Sequence, residues 1–176
     1  MTFPSCQRML QVFLFASCVF VCLVPDQNLA HNNSEPKIDR ILVEKSRRTL
    51  KLMDGTAVVK SYKVALGATP EGAKDRQGDH KTPEGLYSVD GKNPKSQFHK
   101  ALHLSYPNAT DREHARKLGV KPGGDVEIHG LGAKWGWVGA SHRLHDWTDG
   151  CIAVTNEEID EIYPLVKVGT VVEIKP

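Results

Sequence analysis

The chain has 176 residues, 40% of them hydrophobic and 25% charged, with a formal net charge of +2. These values fit one globular domain with a short extension and exclude a wholly disordered or fibrous chain. The small charge is scattered rather than striped, which excludes an electrostatic nucleic-acid binder.

Residues 1–30 stand apart. Met9 to Val24 holds 14 apolar residues in 16, with Arg8 before the run and Pro25 and Asp26 after it. A basic start, an apolar stretch and a polar exit make a secretory signal peptide or N-terminal anchor. A membrane span needs about 20 residues, so cleavage is expected, after Ala30. An uncleaved leader would be the domain's tie to the membrane. The expected location is exported, in the periplasm or cell envelope. Cys6, Cys18 and Cys22 leave with the leader, so the mature chain keeps Cys151 alone and forms no internal disulfide. A lone thiol in an oxidising compartment is a liability unless it is buried or used.

Residues 31–37 are a polar, flexible lead-in, and 38–176 form the domain. Ile38–Lys45 is β-branched and reads as a strand. Thr49–Met53 alternates, and Asp54-Gly55 turns it into Ala57–Lys60, giving a hairpin that continues as Ser61–Leu66. Ala68–Pro83 is a long loop, of a length that is usually functional or disordered. Further strands are expected at Gly85–Val89, Ala101–Ser105, Asp125–His129, Cys151–Val154 and Thr170–Ile174. A helix is expected over Arg112–Leu118, capped by Thr110 or Asp111 and ended by Gly119. A second starts at Thr155, which has capping-box spacing to Glu158, and places Ile159, Ile162 and Val166 on one face. Pro164 should stop or kink it near Tyr163. The sum is a mainly β domain with two short helices.

The chemistry concentrates between Glu127 and Asn156. A thiol attacks as thiolate and needs a base. His129, closing the strand-like Val126-Glu127-Ile128-His129, is the obvious one for Cys151. Gly150 lets the backbone approach closely, and its amide and that of Cys151 could face a developing oxyanion. A rival reading gathers His129, His142, His145, Asp146, Asp149 and Cys151 around zinc. It lacks a compact ligand motif. A third reading is a non-catalytic envelope module that binds glycan with Trp135, Trp137 and Trp147.

His129-Gly130, a 17-residue spacer and Thr148-Asp149-Gly150-Cys151-Ile152 resemble the signature of the L,D-transpeptidase catalytic domain, the YkuD domain. Tyr62–Gly67, Gly78–Tyr87 and Gly169–Ile174 are similar to that domain too, so the resemblance runs from about Ile38 to Lys175. It implies a β-sandwich or barrel, without metal or organic cofactor. Peptidoglycan stem peptides are the implied donor and acceptor, with an envelope lipoprotein as a second acceptor. Cys151 becomes the nucleophile and His129 the base, with the Gly130 carbonyl orienting its ring. A thiol hydrolase (a carboxypeptidase or cross-link-cleaving amidase) is the alternative on the same scaffold.

Two positions depart from the signature. Asp149 stands for its His, and Ala153 for its Asn or Arg. A carboxylate near the thiol raises its pKa, so either His129 does more of the activation or another cation compensates, with His142, Arg143 and His145 the nearest candidates in sequence. Asp149, Trp147, His145, Arg143, Lys81 and Tyr106 are the expected substrate-binding residues, with Arg76 as a further loop cation. Asn108-Ala109-Thr110 matches a glycosylation sequon expected to be idle.

Overall fold

The computed structural model describes Met1 and residues 37–176, so the leader reading and most of the lead-in lie outside the described residues. Alternation along extended backbone builds the sheet. Strand β1 (Arg40–Glu44) buries Ile41 and Val43, and β8 (Val171–Lys175) buries Val172 and Ile174 beside them in parallel register. Strands β2 (Thr49–Asp54) and β3 (Ala57–Lys63) form the expected hairpin, with Gly55 at φ +57° in its turn. Glycine adopts that conformation without a Cβ penalty.

Strand β4 (Gly85–Ser96) runs well past the expected Val89. It pairs with β8 through Gly85–Ser88, then shifts register twice along β5 (His99–Leu104). Bulges bend a strand, which lets β4 serve both halves of one sheet. Strands β6 (Glu127–His129) and β7 (Ile152–Ala153) follow, and the order is β3-β2-β1-β8-β4-β5-β6-β7. The two edges then meet. Ala65, just past β3, and Ala153 of β7 exchange backbone hydrogen bonds of 3.0 and 2.8 Å. The sheet closes barrel-like, so neither edge there is left bare. The candidate site sits at this seam.

Helix α1 (Ala109–Leu118) starts earlier than expected. Its cap is Asn108, not Thr110 or Asp111: the Asn108 side chain accepts from both of their amides, and Asp111 accepts from the Asn108 amide. Thr155 and Glu158 make the expected capping box of α3 (Asn156–Leu165). Pro164 lies within the last turn, and the helix ends at Leu165 rather than near Tyr163. Ile159 and Ile162 are fully buried in the core cluster with Leu102, Leu104 and Ile128. The spacer also folds, into α2 (Gly132–Trp135) and a 3-10 segment, Gly136–Leu144. There are therefore three α-helices among the described residues, not two. No side chain caps α2, so the sequence carried no start signal for it.

Candidate active site

Three short strands set the geometry. Ala101, His129 and Ala153 face one another across β5, β6 and β7. Cys151 comes two residues before Ala153, so its side chain lies on the same face, diagonal to His129. Glu127, two before His129, shares that face opposite His103. Ala101 and Ala153 are fully buried on either side of His129.

The His129 ring is held from several directions. It is 1% exposed. Its Nδ1 lies 2.6 Å from the Gly130 carbonyl oxygen. A carbonyl only accepts, so Nδ1 carries the proton and Nε2 is the free acceptor. Phe98 stacks on the ring at 4.3 Å between centroids, and Trp147 meets it edge-on at 6.0 Å. Burial holds the His129 pKa below its ordinary value, against the Gly130 hydrogen bond. The imidazole is therefore neutral at neutral pH.

The Cys151 thiol points to the Asp125 carbonyl oxygen at 3.5 Å. Burial pushes it up to about 11; a backbone hydrogen bond with Glu127 works against this, and the charges of Glu127, Asp149 and Asp125 add to it. The resting pair is thiol and imidazole, not thiolate and imidazolium. Such a pair reacts only as His129 removes the proton during attack.

The turn before Cys151 is closely fitted. Gly150 sits at φ +130°, and a Cβ there would lie 2.6 Å from the Lys81 carbonyl oxygen. The Thr148 hydroxyl donates to the Cys151 carbonyl at 2.7 Å and accepts from the Gly150 amide at 3.1 Å. This corrects one expectation: the Gly150 N–H is used inside the turn. Of the expected oxyanion donors, only the Cys151 amide is left without such a bond among the described residues.

The expected substrate-binding residues scatter. Trp147 flanks His129, and Asp149 projects beside the thiol, its side chain 91% exposed. His145 is exposed. Arg143 is bound to Glu158 and ties the spacer to α3, so it does not face Asp149. Lys81 turns to Asp75, 3.5 Å away, and meets the site through its carbonyl instead. Tyr106 is 3% exposed and donates to the Pro122 carbonyl at 2.8 Å, so it supports the cleft wall from inside the core. The partner of Asp149 is one that sequence reasoning missed. His80 Nδ1 lies 2.8 Å from Asp149 Oδ1.

Phe98, Asn156 and Lys74 were also missed. Asn156 accepts from the Leu131 and Gly132 amides at 2.8 and 3.2 Å and shapes the turn after Gly130. Lys74 forms a buried ion pair with Asp79 at 2.5 Å. None of these carried a local signal, since each acts across a large sequence separation or in a loop of ordinary composition. Among the described residues no three His, Cys, Asp or Glu side chains gather as a metal site. The donors of the zinc reading are dispersed, with Asp146 on Arg48 and His142 against Trp147.

Two hollows flank the site. One, about 310 Å³, is apolar and lined by Leu131, Trp135, Val138, His142 and Trp147. The other, about 300 Å³, is polar and includes Lys74, His80, Asp125 and Asp149.

The family model of the YkuD L,D-transpeptidase catalytic domain matches residues 38–174. The chain belongs to that family. It is 35% identical over 133 residues to "Putative L,D-transpeptidase YafK" of Escherichia coli (strain K12), covering 72% of this chain and 46% of that protein. The chain thus spans about half the length of the curated relatives it matches. Among solved structures, the helical cell shape determining protein Pgp2 from Campylobacter jejuni is 26% identical, with a TM-score of 0.60 over 81% of this chain and 53% of that one. An L,D-transpeptidase from Mycobacterium smegmatis shares the fold at 13% identity and a TM-score of 0.52, over 78% of this chain and 58% of that one. Within this L,D-transpeptidase domain, the departure at Ala153 is a fully buried position beside His129.

Proposed function

We propose that the protein is an exported L,D-transpeptidase acting on peptidoglycan stem peptides through a Cys151 thioester. The observation that carries this reading is the His129 ring, fixed by the Gly130 carbonyl with Nε2 free, on the same sheet face as Cys151. His129 Nε2 takes the Sγ proton as sulfur attacks the carbonyl of the L,D-peptide bond. The tetrahedral species collapses, and the D-residue leaves as an amine that takes this proton back from His129. The acyl group stays on Cys151. An acceptor amine then attacks the thioester and gives its proton to His129, and the departing sulfur recovers it. Atoms and charge balance without a cofactor. The acceptor is a neighbouring stem peptide, with an envelope lipoprotein as a second candidate. Family membership and the YafK likeness support the acyl-transfer class.

Incubating the full chain, and its Cys151→Ala variant, with disaccharide-tetrapeptide muropeptides tests this by mass spectrometry. Cross-linked dimer and free D-Ala, absent with the variant, are expected. Tripeptide and D-Ala without dimer would replace the transferase by a hydrolase. Binding to sacculi with an unreactive thiol would replace both by a glycan-binding module.

A further inference from the structure

The acyl-transfer steps leave one proton without a receiver. An alkyl amine has a pKa of about 10, so the acceptor reaches the enzyme as an ammonium, with three N–H groups and no lone pair. It must lose two protons to become an amide. His129 takes one and returns it to the departing sulfur. The other needs a second base beside the thioester.

One carboxylate on the catalytic face has no use in those steps. Two rows of side chains run across β5 and β6 on that face. Ala101 and His129 form one, with Ala153 beyond them. His103 and Glu127 form the next, and one step back along the parallel register of Ile128 and Ile152 brings Cys151 beside Glu127. Glu127 is thus the lateral neighbour of the nucleophile, about 7 Å along β6 from His129. An amine attacking the acyl carbon on sulfur approaches between the two side chains.

The Glu127 carboxylate is partly buried, yet it makes no hydrogen bond or ion pair among the described residues. His103 is engaged elsewhere: its Nδ1 lies 2.5 Å from Asp90 Oδ1, and its Nε2 faces Asp125 Oδ1 at 3.7 Å. Asp90 is the extra residue of a β4 bulge, which aims it at His103. A partly buried charge without a partner is costly, and this one also raises the thiol pKa. Burial, opposed by His103 and aided by Asp125, holds the Glu127 pKa above its ordinary value. That makes the carboxylate a better base. An ammonium brought against it is desolvated too, which lowers the pKa of a cation. The two values approach, and proton transfer from nitrogen to oxygen becomes easier.

We propose that Glu127 is a second catalytic base, which binds the acceptor ammonium and takes from it the proton that frees the nitrogen lone pair. The N–C bond then forms at the acyl carbon. The nitrogen gives its second proton to His129 Nε2, and the C–S bond breaks as sulfur takes that proton. Glu127 is left as the neutral acid and returns its proton to water. Atoms and charge balance. This rests on the transferase reading above.

The test loads the full chain and its Glu127→Gln variant with a tetrapeptide muropeptide and offers one of two acceptors. One is a stem tripeptide whose third side chain ends in an ammonium. The other is hydroxylamine, which is already uncharged at neutral pH and needs no such base. Mass spectrometry follows D-Ala and both transfer products, and a thermal melt confirms folding. Glu127→Gln should slow transfer to the ammonium acceptor about a hundredfold, the scale of one general base, and transfer to hydroxylamine far less. Glu127→Asp, which keeps the carboxylate, should recover part of the loss. The deficit should shrink as pH approaches the acceptor's own pKa, because solution then supplies the free amine. His103, Asp90 and Asp125 titrate in every variant, so the ratio between acceptors isolates Glu127. An equal fall with both acceptors, or no fall with either, would overturn the proposal. D-Ala release without transfer by the wild type would replace the transferase by a hydrolase, and overturn this proposal with it. No D-Ala from the wild type would overturn the stem-peptide reading as well.

Discussion

His80 Nδ1 lies 2.8 Å from Asp149 Oδ1, joining the long loop to the turn that carries Cys151. The loop is built to hold it there. His80 sits at φ +54°, and its carbonyl oxygen would be 2.2 Å from a Cβ on Gly67. A non-glycine residue keeps such a backbone only where packing imposes it. The Asp149 charge raises the thiol pKa, and the hydrogen bond from His80 disperses part of that charge. Asp149→Asn should therefore speed alkylation of Cys151 at neutral pH, by about twofold at low salt and less at high salt, because the charge is exposed and screened. His80→Ala should slow alkylation in the wild-type background and change nothing in Asp149→Asn. Iodoacetamide kinetics on the four proteins would check this. An equal effect of His80→Ala in both backgrounds would contradict it.

Gly150→Ala should be far more damaging than an ordinary turn substitution. The new methyl would meet the Lys81 carbonyl, and φ +130° would be strained as well. We expect about 1–3 kcal/mol of lost stability from the strained backbone alone, read from urea unfolding. Muropeptide turnover should fall with it, because Cys151 moves with the turn. Ala at Gly55, which is also at positive φ but has no atom nearby, should cost less.

Phe98 keeps water from the His129 ring by stacking at 4.3 Å. Burial is the largest cause of the lowered His129 pKa. Phe98→Ala should let it rise toward the ordinary value of about 6.5. The imidazole then protonates at a higher pH and is lost as a base. The acid limb of kcat/KM should shift upward in pH, with activity near pH 8 less affected. An unmoved acid limb would mean that Phe98 does not dry the ring.

Stability should fall on mild acidification. His129 and His142 are both lowered by burial, His142 to about 4. Both are neutral in the fold, while in the unfolded chain they protonate near pH 6.5. Their contribution is complete above that pH. It is lost as pH falls below it, at up to about 1.4 kcal/mol per pH unit for each histidine, until the folded chain also binds the protons. For His142 the window runs from about 6.5 to about 4. Asp79, held near 2, contributes only to losses below the ordinary carboxylate range. Urea unfolding across this range should show the slope, and His142→Phe should reduce it.

The primary structure by itself determined much of this protein. The β-branched run Ile38–Lys45, the alternation in Thr49–Met53, the Asp54-Gly55 turn and the Thr155–Glu158 box are local, and local physical chemistry decides them. The pairing of Cys151 with His129 was legible too, because a lone thiol after a glycine turn and a histidine ending a strand each need a reason. Tertiary structure decided the rest. Whether Tyr106 faces the cleft or the core depends on the Pro122 carbonyl, and whether Arg143 meets substrate depends on Glu158. The Gly150 amide is turned inward by Thr148, not by its own conformational preference. His80 reaches Asp149, and Lys74 lies beside Gly150, only because the long loop folds against the turn that carries Cys151. Charge compensation and burial depend on distance in space, and the chain brings residues 69 positions apart to 2.8 Å. No periodicity or spacing along the sequence encodes that approach.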